Sequence, residues 1–418
     1  MGRVESQWST GSTRRSALLG MSSFFAASPI LRGQQDPFRD SSRVPGMNEL
    51  LNAFDFEAAA YAKLPRDAYD YTALGVQGEF TLRRNRQAFD WVELLPKGVV
   101  DVSSVKTATE VLGTKMAFPI MVAPTASHLS LHPEGELGTH QGATAASNTP
   151  YIISNNASFP IDKIAQAANG PIWFQLYHKE TVEDNQEYIE RAQDCGCRAV
   201  VVTNDGNGAG TSRTGPRERD MHDRNLNSRR MEQDSGNGGR PVLGASTGRT
   251  RRQGAPSKYG LTGGGRSLDW KLMDGIHSVT KVPILTKGIL TGEDAKACVE
   301  HGLDGIIVSN HGGRAMDYGP STLEVLAEVV DAVQGRIPVL IDSGFRRGSD
   351  ILKALALGAK AVCLGRVPRW GLAAYGPVGS QRILEIMQAE LVMAMAATGR
   401  PSLESINRTL VRTDFPWA

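Results

Sequence analysis

Short apolar runs rich in valine and isoleucine alternate, from about residue 118 onward, with longer segments of helical period. This alternation is typical of parallel strands joined by helical crossovers. We predict eight strands, at residues 119–124, 151–154, 172–177, 199–205, 283–287, 305–309, 338–342 and 361–365. Helices are predicted between them, including 134–147, 183–194, 292–301, 321–333 and 348–357.

Polar residues follow most of these predicted strands at their carboxyl ends. Ser154, Asp205, Lys287 and Asp342 each stand at the end of an apolar run. One mouth of a barrel would collect such residues into a single site. An open, doubly wound sheet is the rival arrangement, but eight parallel strands with helical crossovers favour closure. We therefore predict the α/β fold class, as a (β/α)8 TIM barrel.

Two segments interrupt the repeat. Residues 48–66 have the pattern of a helical segment that leads into the barrel. Residues 206–267 are rich in glycine, arginine and serine, and they form an excursion after strand four that is too long for an ordinary connection. Excursions of this size are usually lids or disordered segments. We assign residues 47–410 to one barrel domain that contains this excursion.

The first 34 residues have a character of their own. Arg14 and Arg15 precede a modest apolar run that ends near Ile30, with small residues at positions 26–28. This pattern is typical of a twin-arginine export signal, and a frayed basic tail is the alternative. Export by this route would deliver the folded protein to the periplasm. Without it, the protein would be cytoplasmic.

Charge and cysteine content narrow the possible partners. The chain has 418 residues, with 46 Lys and Arg against 44 Asp and Glu, which gives a formal net charge of +2. So small an excess provides no broad attraction for nucleic acid, so we predict no nucleic-acid partner and expect any bound anion to need a local site. The cysteines are too sparse for a disulfide framework and lack zinc-type spacing, so we predict buried thiols and no metal. They are Cys195, Cys197, Cys298 and Cys363.

The sharpest chemical signal is the segment 309–314, Ser-Asn-His-Gly-Gly-Arg, directly after the sixth predicted strand. His311 can accept a proton near neutral pH, and the glycines after it would let a substrate approach the backbone. A histidine in this place can also be purely structural, but Arg314 puts a fixed cation near whatever the imidazole deprotonates. Asp205 is either the partner that orients the His311 ring or an ordinary aspartate at the start of a loop.

Further cations are candidates for binding anions. Arg217 and Arg314 together would hold a carboxylate, although Arg217 equally fits a solvated charge cluster on the excursion. The glycines of 342–348 and 365–366, after the last two strands, are typical of a phosphate cradle. A glycine turn with surface arginines is the alternative there. Lys287 is then placed to lie beneath a ring that carries negative charge.

Between about Met47 and Leu410, the chain resembles the FMN-dependent 2-hydroxy acid oxidases and dehydrogenases, the family of glycolate oxidase, lactate oxidase and mandelate dehydrogenase. The motifs that carry the resemblance lie at 69–71, 123–126, 174–177, 285–288, 309–314, 342–348 and 355–359, in family order. The resemblance implies FMN as cofactor and a small (S)-2-hydroxy acid, similar to L-lactate or glycolate, as substrate. It also implies reoxidation by oxygen, a quinone or a protein acceptor, and a homo-oligomer of four or more subunits.

The resemblance implies roles for individual residues as well. His311 matches the catalytic base and Asp205 its partner. The family's residues that bind the substrate carboxylate and hydroxyl correspond here to Tyr71, Tyr177, Arg217 and Arg314. The resemblance gives Tyr177 a catalytic role as well. Positions around the isoalloxazine and ribityl chain are matched by Pro124, Thr125, Ala126, Ser154, Gln175, Thr203 and Ser309, with Lys287 beside flavin N1. The ribityl and phosphate site is matched by Asp342, Gly344, Arg346, Gly365 and Arg366.

The chain departs from the family pattern in two places. Asn156 stands where glycolate and lactate oxidases commonly have an aromatic residue, which predicts a more polar or more open pocket wall. Asp205 and Arg217 are further apart than in the glycolate oxidases, so Arg213 and Arg219 compete for the role given to Arg217. Two other functions stay open: another FMN barrel enzyme such as a flavin-dependent isomerase, or a flavin-binding protein without turnover.

Overall fold

The computed structural model of the chain describes residues 44–205 and 268–416. Residues 44–49 belong to a first unit, in which Met47–Glu49 form one turn of 3-10 helix. The fold described below lies in a second compact unit, Leu50–Ala418. The predicted export signal at 1–34 and the predicted excursion at 206–267 lie outside the described residues, so the domain boundaries stay predictions.

Eight parallel strands close into a barrel. In chain order, the strands of the described residues are β1 (Val92–Leu94), β2 (Thr109–Val111), β3 (Thr114–Met116), β4 (Ile120–Val122), β5 (Tyr151–Ser154), β6 (Ile172–Leu176), β7 (Val200–Thr203), β8 (Ile284–Ile289), β9 (Gly305–Val308), β10 (Val339–Ile341), β11 (Ala361–Leu364) and β12 (Val411–Thr413). The barrel runs from β4 to β11, and β11 pairs with β4 to close it. The predicted (β/α)8 barrel is confirmed, and all eight predicted strands are present.

Helices surround the barrel and include the five that the sequence predicts. They are α1 (Ala53–Lys63), α2 (Arg66–Ala73), α3 (Phe80–Gln87), α4 (Gly135–Ala145), α5 (Ile161–Gln166), α6 (Val182–Asp194), α7 (Trp270–Ser278), α8 (Gly292–Glu300), α9 (Thr322–Val333), α10 (Gly348–Ala356) and α11 (Arg366–Ala397). Side-chain caps start several of them: Thr181 accepts from the backbone of Asp184, and Ser321 and Glu324 form a capping box. The helical approach predicted at 48–66 is α1 together with the start of α2.

A bulge in β8 sets the direction of Lys287. Lys287 lies opposite Ile307 of β9, whereas Ile289 lies opposite Val308, so Gly288 is an extra residue in the ladder. Gly288 has φ +117°, and a Cβ there would lie 2.8 Å from the backbone nitrogen of Asp205. Only glycine combines this conformation with such a close approach to the end of β7. The bulge therefore brings Lys287 and Asp205 together.

A β-hairpin closes the amino-terminal end of the barrel. Val111 of β2 and Met116 of β3 belong to the buried apolar cluster that fills the barrel interior. Trp173 of β6 is fully buried and donates its indole N–H to Thr114 at 2.9 Å. The sequence analysis did not predict this hairpin, because its strands are short and its polar residues resemble a loop. The barrel is thus sealed at one end.

The chain after β11 forms the long helix α11, which the sequence analysis also did not predict. Tyr375 and Gly376 leave helical geometry within it, and Pro377 follows this kink. Gly376 has φ +67°, and a Cβ there would lie 2.9 Å from the ring of His132. No helix within residues 44–205 and 268–416 is both long and apolar enough to cross a membrane.

Candidate active site

The inner residues of the barrel strands change from apolar to polar along each strand. Side chains alternate between the two faces of a strand, so residues two apart face the same side. Six members of the interior apolar cluster are followed, two positions later, by a buried polar residue. The pairs are Ile152 and Ser154, Trp173 and Gln175, Val201 and Thr203, Leu285 and Lys287, Ile307 and Ser309, and Leu340 and Asp342. The carboxyl ends of the strands therefore form a polar mouth opposite the sealed end.

Asp205 lies between two basic groups at this mouth. Its Oδ1 is 2.7 Å from His311 Nδ1, and its Oδ2 accepts a hydrogen bond from Lys287 Nζ at 3.0 Å. A second carboxylate, that of Asp342, lies 3.6 Å from Lys287 Nζ. Because Asp205 occupies Nδ1 of the imidazole, His311 presents Nε2 to the mouth. The predicted pairing of Asp205 with His311 is present.

The opposite charges of Asp205 and Lys287 stabilise each other, so both side chains stay ionised. Burial alone would raise the pKa of Asp205 and lower that of Lys287. The attraction of His311 and Lys287 outweighs burial at Asp205 and brings its pKa far below the ordinary value. The attraction of Asp205 and Asp342 likewise raises the pKa of Lys287 above its ordinary value. Both groups are therefore charged throughout the neutral pH range.

His311 sits in a strained and firmly anchored loop. It has φ +57°, followed by Gly312 and Gly313 at +66° and +75°. A left-handed conformation at a residue other than glycine is uncommon and is often found at functional sites. Next to it, the buried side chains of Asn310 and Asn85 exchange hydrogen bonds of 2.7 and 2.9 Å. This amide pair fixes the loop that aims the imidazole.

Tyr177 covers the open side of His311. The two rings stack with centroids 6.5 Å apart, and the Tyr177 hydroxyl is 3.5 Å from Nε2. Burial raises the pKa of Tyr177, so the phenol stays neutral and can donate a hydrogen bond. Tyr177 and His311 therefore face the same small volume at the mouth.

Arg314 and Tyr71 form a cationic corner beside the mouth. Arg314 lies over the Tyr71 ring, with its guanidinium carbon 5.1 Å from the ring centroid. It also donates to the backbone carbonyls of Tyr71, at 2.7 Å, and of Leu74, at 2.9 Å. Tyr71 remains 39% exposed. Among the described residues, no carboxylate forms an ion pair with Arg314, which suits the corner to an incoming anion.

The loops after β10 and β11 bring two further arginines to the same side. Arg346 is buried and lies 3.5 Å from Glu57. Arg366 donates to the carbonyls of Thr72, Gly312 and Leu74 at 2.8, 3.0 and 3.2 Å. Its guanidinium thus faces the segment that carries Tyr71, whereas its backbone starts α11.

A model of the FMN-dependent dehydrogenase family matches residues 60–413. The chain belongs to this family. It is 39% identical over 374 residues to peroxisomal (S)-2-hydroxyacid oxidase GLO3 of Arabidopsis thaliana, which covers 88% of this chain and 98% of that protein. Glycolate oxidase of Spinacia oleracea is 38% identical over 374 residues, with coverage of 88% and 97%. A solved structure of mandelate oxidase superposes with a TM-score of 0.75 at 33% identity, covering 88% of this chain and 99% of that one.

The cofactor of this family is FMN, and the mouth has the donor set that a flavin needs. The Gln175 carbonyl oxygen accepts from Ser154 at 2.8 Å. Within the described residues, Gln175 Nε2 and Thr203 Oγ1 are buried and have no hydrogen-bond partner. Buried polar atoms are seldom left unpaired, and an isoalloxazine edge offers both donors and acceptors. Gly365 has only the side chains of Thr125 and Ala123 near its open side, at 3.7 and 3.9 Å, so a flavin or phosphate can approach its backbone.

The FMN-dependent family motif 123–126 lies along the β4 loop. Thr125 Oγ1 is 2.7 Å from Nε2 of the buried His128, and the Ala126 carbonyl accepts from Arg369 at 2.5 Å. Ser309 Oγ accepts from the backbone of His311 at 3.1 Å. Pro124 directly precedes Thr125 near the start of the β4 loop. The motif 123–126 thus directly follows β4, and Ser309 directly follows β9.

Most predicted site residues lie at the carboxyl ends of the strands or in the loops that follow them. Arg217 and its competitors Arg213 and Arg219 lie outside the described residues. Gly344 lies in the loop after β10 with φ +86°, against the backbone of Asn85. The sequence analysis missed Arg369 and His128, which are buried beside the motif 123–126. No local sequence pattern indicates that either side chain is buried there.

Proposed function

We propose that the protein oxidises a small (S)-2-hydroxy acid to the corresponding 2-oxo acid with bound FMN as the electron acceptor. The observation that carries this proposal is the arrangement of His311, held by Asp205, beside a cationic corner that has no carboxylate of its own among the described residues. Such an arrangement suits a substrate that brings a carboxylate and must lose a proton.

Arg314 and Tyr71 would hold the substrate carboxylate. Arg314 is anchored through the carbonyls of Tyr71 and Leu74, so its charge is fixed before the substrate arrives. Arg217 is proposed as a second cation for the same carboxylate. Two fixed contacts orient the acid so that its α-carbon reaches the volume in front of Tyr177 and His311.

His311 Nε2 would take one proton from the substrate. In the reaction one C–H bond and one O–H bond break and a C=O bond forms, so the substrate loses two electrons and two hydrogens. FMN, when bound, supplies the two-electron acceptor. His311 takes the proton of the hydroxyl or that of the carbon, and Asp205 stabilises the imidazolium that results. Tyr177 would contact the substrate oxygen from the other side.

Lys287 would stabilise negative charge that arrives on the cofactor. Its ammonium is held by Asp205 at 3.0 Å and by Asp342 at 3.6 Å, and the described residues offer no further acceptor for its third N–H. A fixed cation in a buried site stabilises a developing anion without reorganisation.

The named relatives support the substrate class. They include (S)-2-hydroxyacid oxidase, glycolate oxidase and mandelate oxidase. We propose a short substrate of the glycolate or L-lactate type, and a pocket wall made more polar by Asn156. Oxygen, a quinone or a protein would take the electrons from the cofactor.

Anaerobic mixing tests the proposal. Purified yellow protein is mixed with L-lactate, glycolate and mandelate without oxygen, and the flavin absorbance band is followed. Bleaching by at least one acid is expected. No bleaching with a broad panel of 2-hydroxy acids would contradict the proposal and would favour an isomerase or a flavin-binding protein. Repeating the panel with oxygen distinguishes an oxidase, which makes hydrogen peroxide, from a dehydrogenase.

We also propose that the protein assembles into a homo-oligomer of four or more subunits. The expectation comes from the family and is tested by light scattering of the purified protein, where the mass of one chain, 45.1 kDa or less after processing, would contradict it.

Export to the periplasm by the twin-arginine route is a further proposal, which rests on Arg14 and Arg15. Replacing both by lysine should leave the protein in the cytoplasmic fraction. Continued translocation of that variant would mean that the signal is of another kind.

A further inference from the structure

Arg369 is a buried arginine that no step of the proposed reaction uses. It lies one helical turn after Arg366 on α11 and is 3% exposed. Its guanidinium donates to the Ala126 carbonyl at 2.5 Å and to Thr72 Oγ1 at 2.8 Å. These two partners belong to the β4 loop and to α2, so Arg369 connects the cofactor loop with the helix that carries Tyr71.

The guanidinium groups of Arg369 and Arg314 both lie over the ring of Tyr71. The guanidinium carbons of Arg369 and Arg314 are 5.9 and 5.1 Å from the ring centroid. The ring therefore contacts two cations, and one of them is almost fully buried. Arg369 holds the side chain of Thr72, the next residue, while Arg314 holds the carbonyl of Tyr71 itself.

Burying an unpaired charge destabilises a protein unless something offsets it. Burial lowers the pKa of Arg369 to about 10, so the group is still a cation at neutral pH. Within the described residues, Arg369, Arg366 and Arg314 form no ion pair with a carboxylate. Besides burial, repulsion from Arg314 lowers the pKa of both Arg366 and Arg369, and repulsion from Arg369 lowers that of Arg366. Glu136, also buried, acts on Arg369 only from a distance. The excess positive charge around Tyr71 is therefore relieved when an anion binds.

We propose that Arg369 is a positioning residue of the substrate site: held against the Tyr71 ring, its buried charge fixes Tyr71 and strengthens the binding of the substrate carboxylate. This inference rests on the proposed function. In this scheme Arg369 acts through Tyr71 and does not touch the substrate; two of its N–H groups donate to Ala126 and Thr72.

The test measures the binding of an inert carboxylate to the FMN-loaded protein. Propionate has the carboxylate of lactate but no hydroxyl, so it is not oxidised, and propionamide is its neutral counterpart. Binding is followed through the change in the visible flavin spectrum. In Arg369→Gln, propionate should bind about tenfold more weakly than in the wild type, the size expected for one charge lost near an anion in a partly buried site. Propionamide should bind as before.

Two further variants separate charge from packing. Arg369→Lys keeps the charge and should recover propionate affinity to within about threefold of the wild type. Arg400→Gln is the matched control, since Arg400 is also buried and donates to a backbone carbonyl, that of Ser405, at 2.9 Å. It should leave both affinities unchanged. In turnover of a 2-hydroxy acid, Arg369→Gln should raise KM and should change kcat by a smaller factor.

Unaltered propionate affinity in Arg369→Gln would overturn the inference, and so would an equal loss of propionate and propionamide, since this would mean a general structural role. If Arg369→Gln does not retain FMN, Arg369→Met takes its place in the same comparison. If Arg369→Met also loses FMN while Arg400→Gln retains it, Arg369 acts on cofactor binding rather than on substrate binding. A wild type that binds no propionate and is not bleached by any 2-hydroxy acid would instead refute the proposed function itself.

Discussion

Two charged groups share the polar mouth of the barrel and are built in opposite ways. In the first, Asp205 contacts the imidazole of His311 and forms an ion pair with Lys287, so the carboxylate and the ammonium each have a partner of opposite sign. In the second, Arg314, Arg366 and Arg369 form no ion pair with a described carboxylate. Backbone carbonyls and the hydroxyl of Thr72 take their hydrogen bonds instead.

This difference in charge pairing indicates which kind of ligand each group can bind. The ion pair of Asp205 and Lys287 keeps its geometry and its charges whether or not a ligand is bound, so it holds the imidazole of His311 in place to accept a proton. Carbonyl oxygens satisfy the hydrogen bonds of a guanidinium but do not neutralise its charge. The arginine group therefore gains most from a ligand that brings negative charge, such as a carboxylate or a phosphate.

The largest effect is expected from breaking the balanced group at His311. His311→Gln should keep the yellow cofactor but slow its reduction by a 2-hydroxy acid about 10⁴-fold, because no other described side chain at the mouth is placed to take the proton. Anaerobic stopped-flow absorbance measures the rate. His301→Gln is the matched control, since His301 also pairs with an aspartate, Asp274, at 2.8 Å. Fast reduction in His311→Gln would remove His311 as the base.

Asp205→Asn should have the next largest effect. The amide has one acceptor oxygen in place of two, so it cannot serve His311 and Lys287 together, and its N–H₂ can hold the imidazole in the wrong tautomer. We expect reduction about 10³-fold slower and the folded state less stable by about 3 kcal/mol, measured by urea unfolding. Asp304→Asn changes a carboxylate that accepts from the backbone of Ile284 at the start of β8, and it should leave the rate unchanged. A normal rate in Asp205→Asn would separate Asp205 from the reaction.

Arg314→Met tests the arginine group with a smaller expected effect. Removing this cation should lower kcat/KM about 10²-fold, chiefly through KM, because it removes an interaction with the bound carboxylate. Steady-state kinetics over a wide substrate range measures both constants. Arg408→Met removes a surface arginine paired with Asp331 and should change neither. A loss confined to kcat would contradict a binding role for Arg314.

The barrel itself was predictable from the sequence because each strand is a short apolar run that ends at a polar residue. The strands β5 and β9 begin at the predicted residues, and the pairing of Asp205 with His311 follows from where their strands end. Barrel closure brings those ends together although the two residues are 106 positions apart. Inner positions along adjacent strands therefore carry most of the site.

The rest depends on contacts that no local pattern reveals. An arginine one turn into a helix, such as Arg369, reads in sequence as a solvent-facing cation. Only the packing of α2 and the β4 loop around it makes it a buried charge. The asparagine pair of Asn85 and Asn310 is similar, since neither residue stands in a recognisable motif with the other. Arg366, which the resemblance gives to the phosphate site, directs its guanidinium to Thr72, Leu74 and Gly312.

The smallest expected effect is a pH dependence of stability, which tests whether Asp205 and Lys287 stay charged in the folded protein. The folded-state pKa of Asp205 is lowered, so its contribution to stability is complete above the unfolded pKa, near 4, and is lost as pH falls through the folded value. The pKa of Lys287 is raised, so its contribution is complete below the unfolded pKa, near 10, and is lost as pH rises through the folded value. In the His311→Gln background, which removes the imidazole that contacts Asp205, adding Asp205→Asn should therefore lower the unfolding free energy by a constant amount from about pH 5 to 9 and by less in acid. Urea unfolding of the FMN-loaded proteins across this range measures it. A difference that changes steeply near pH 7 would mean that Asp205 or Lys287 titrates there, and the balanced group would then not hold its charges without a ligand.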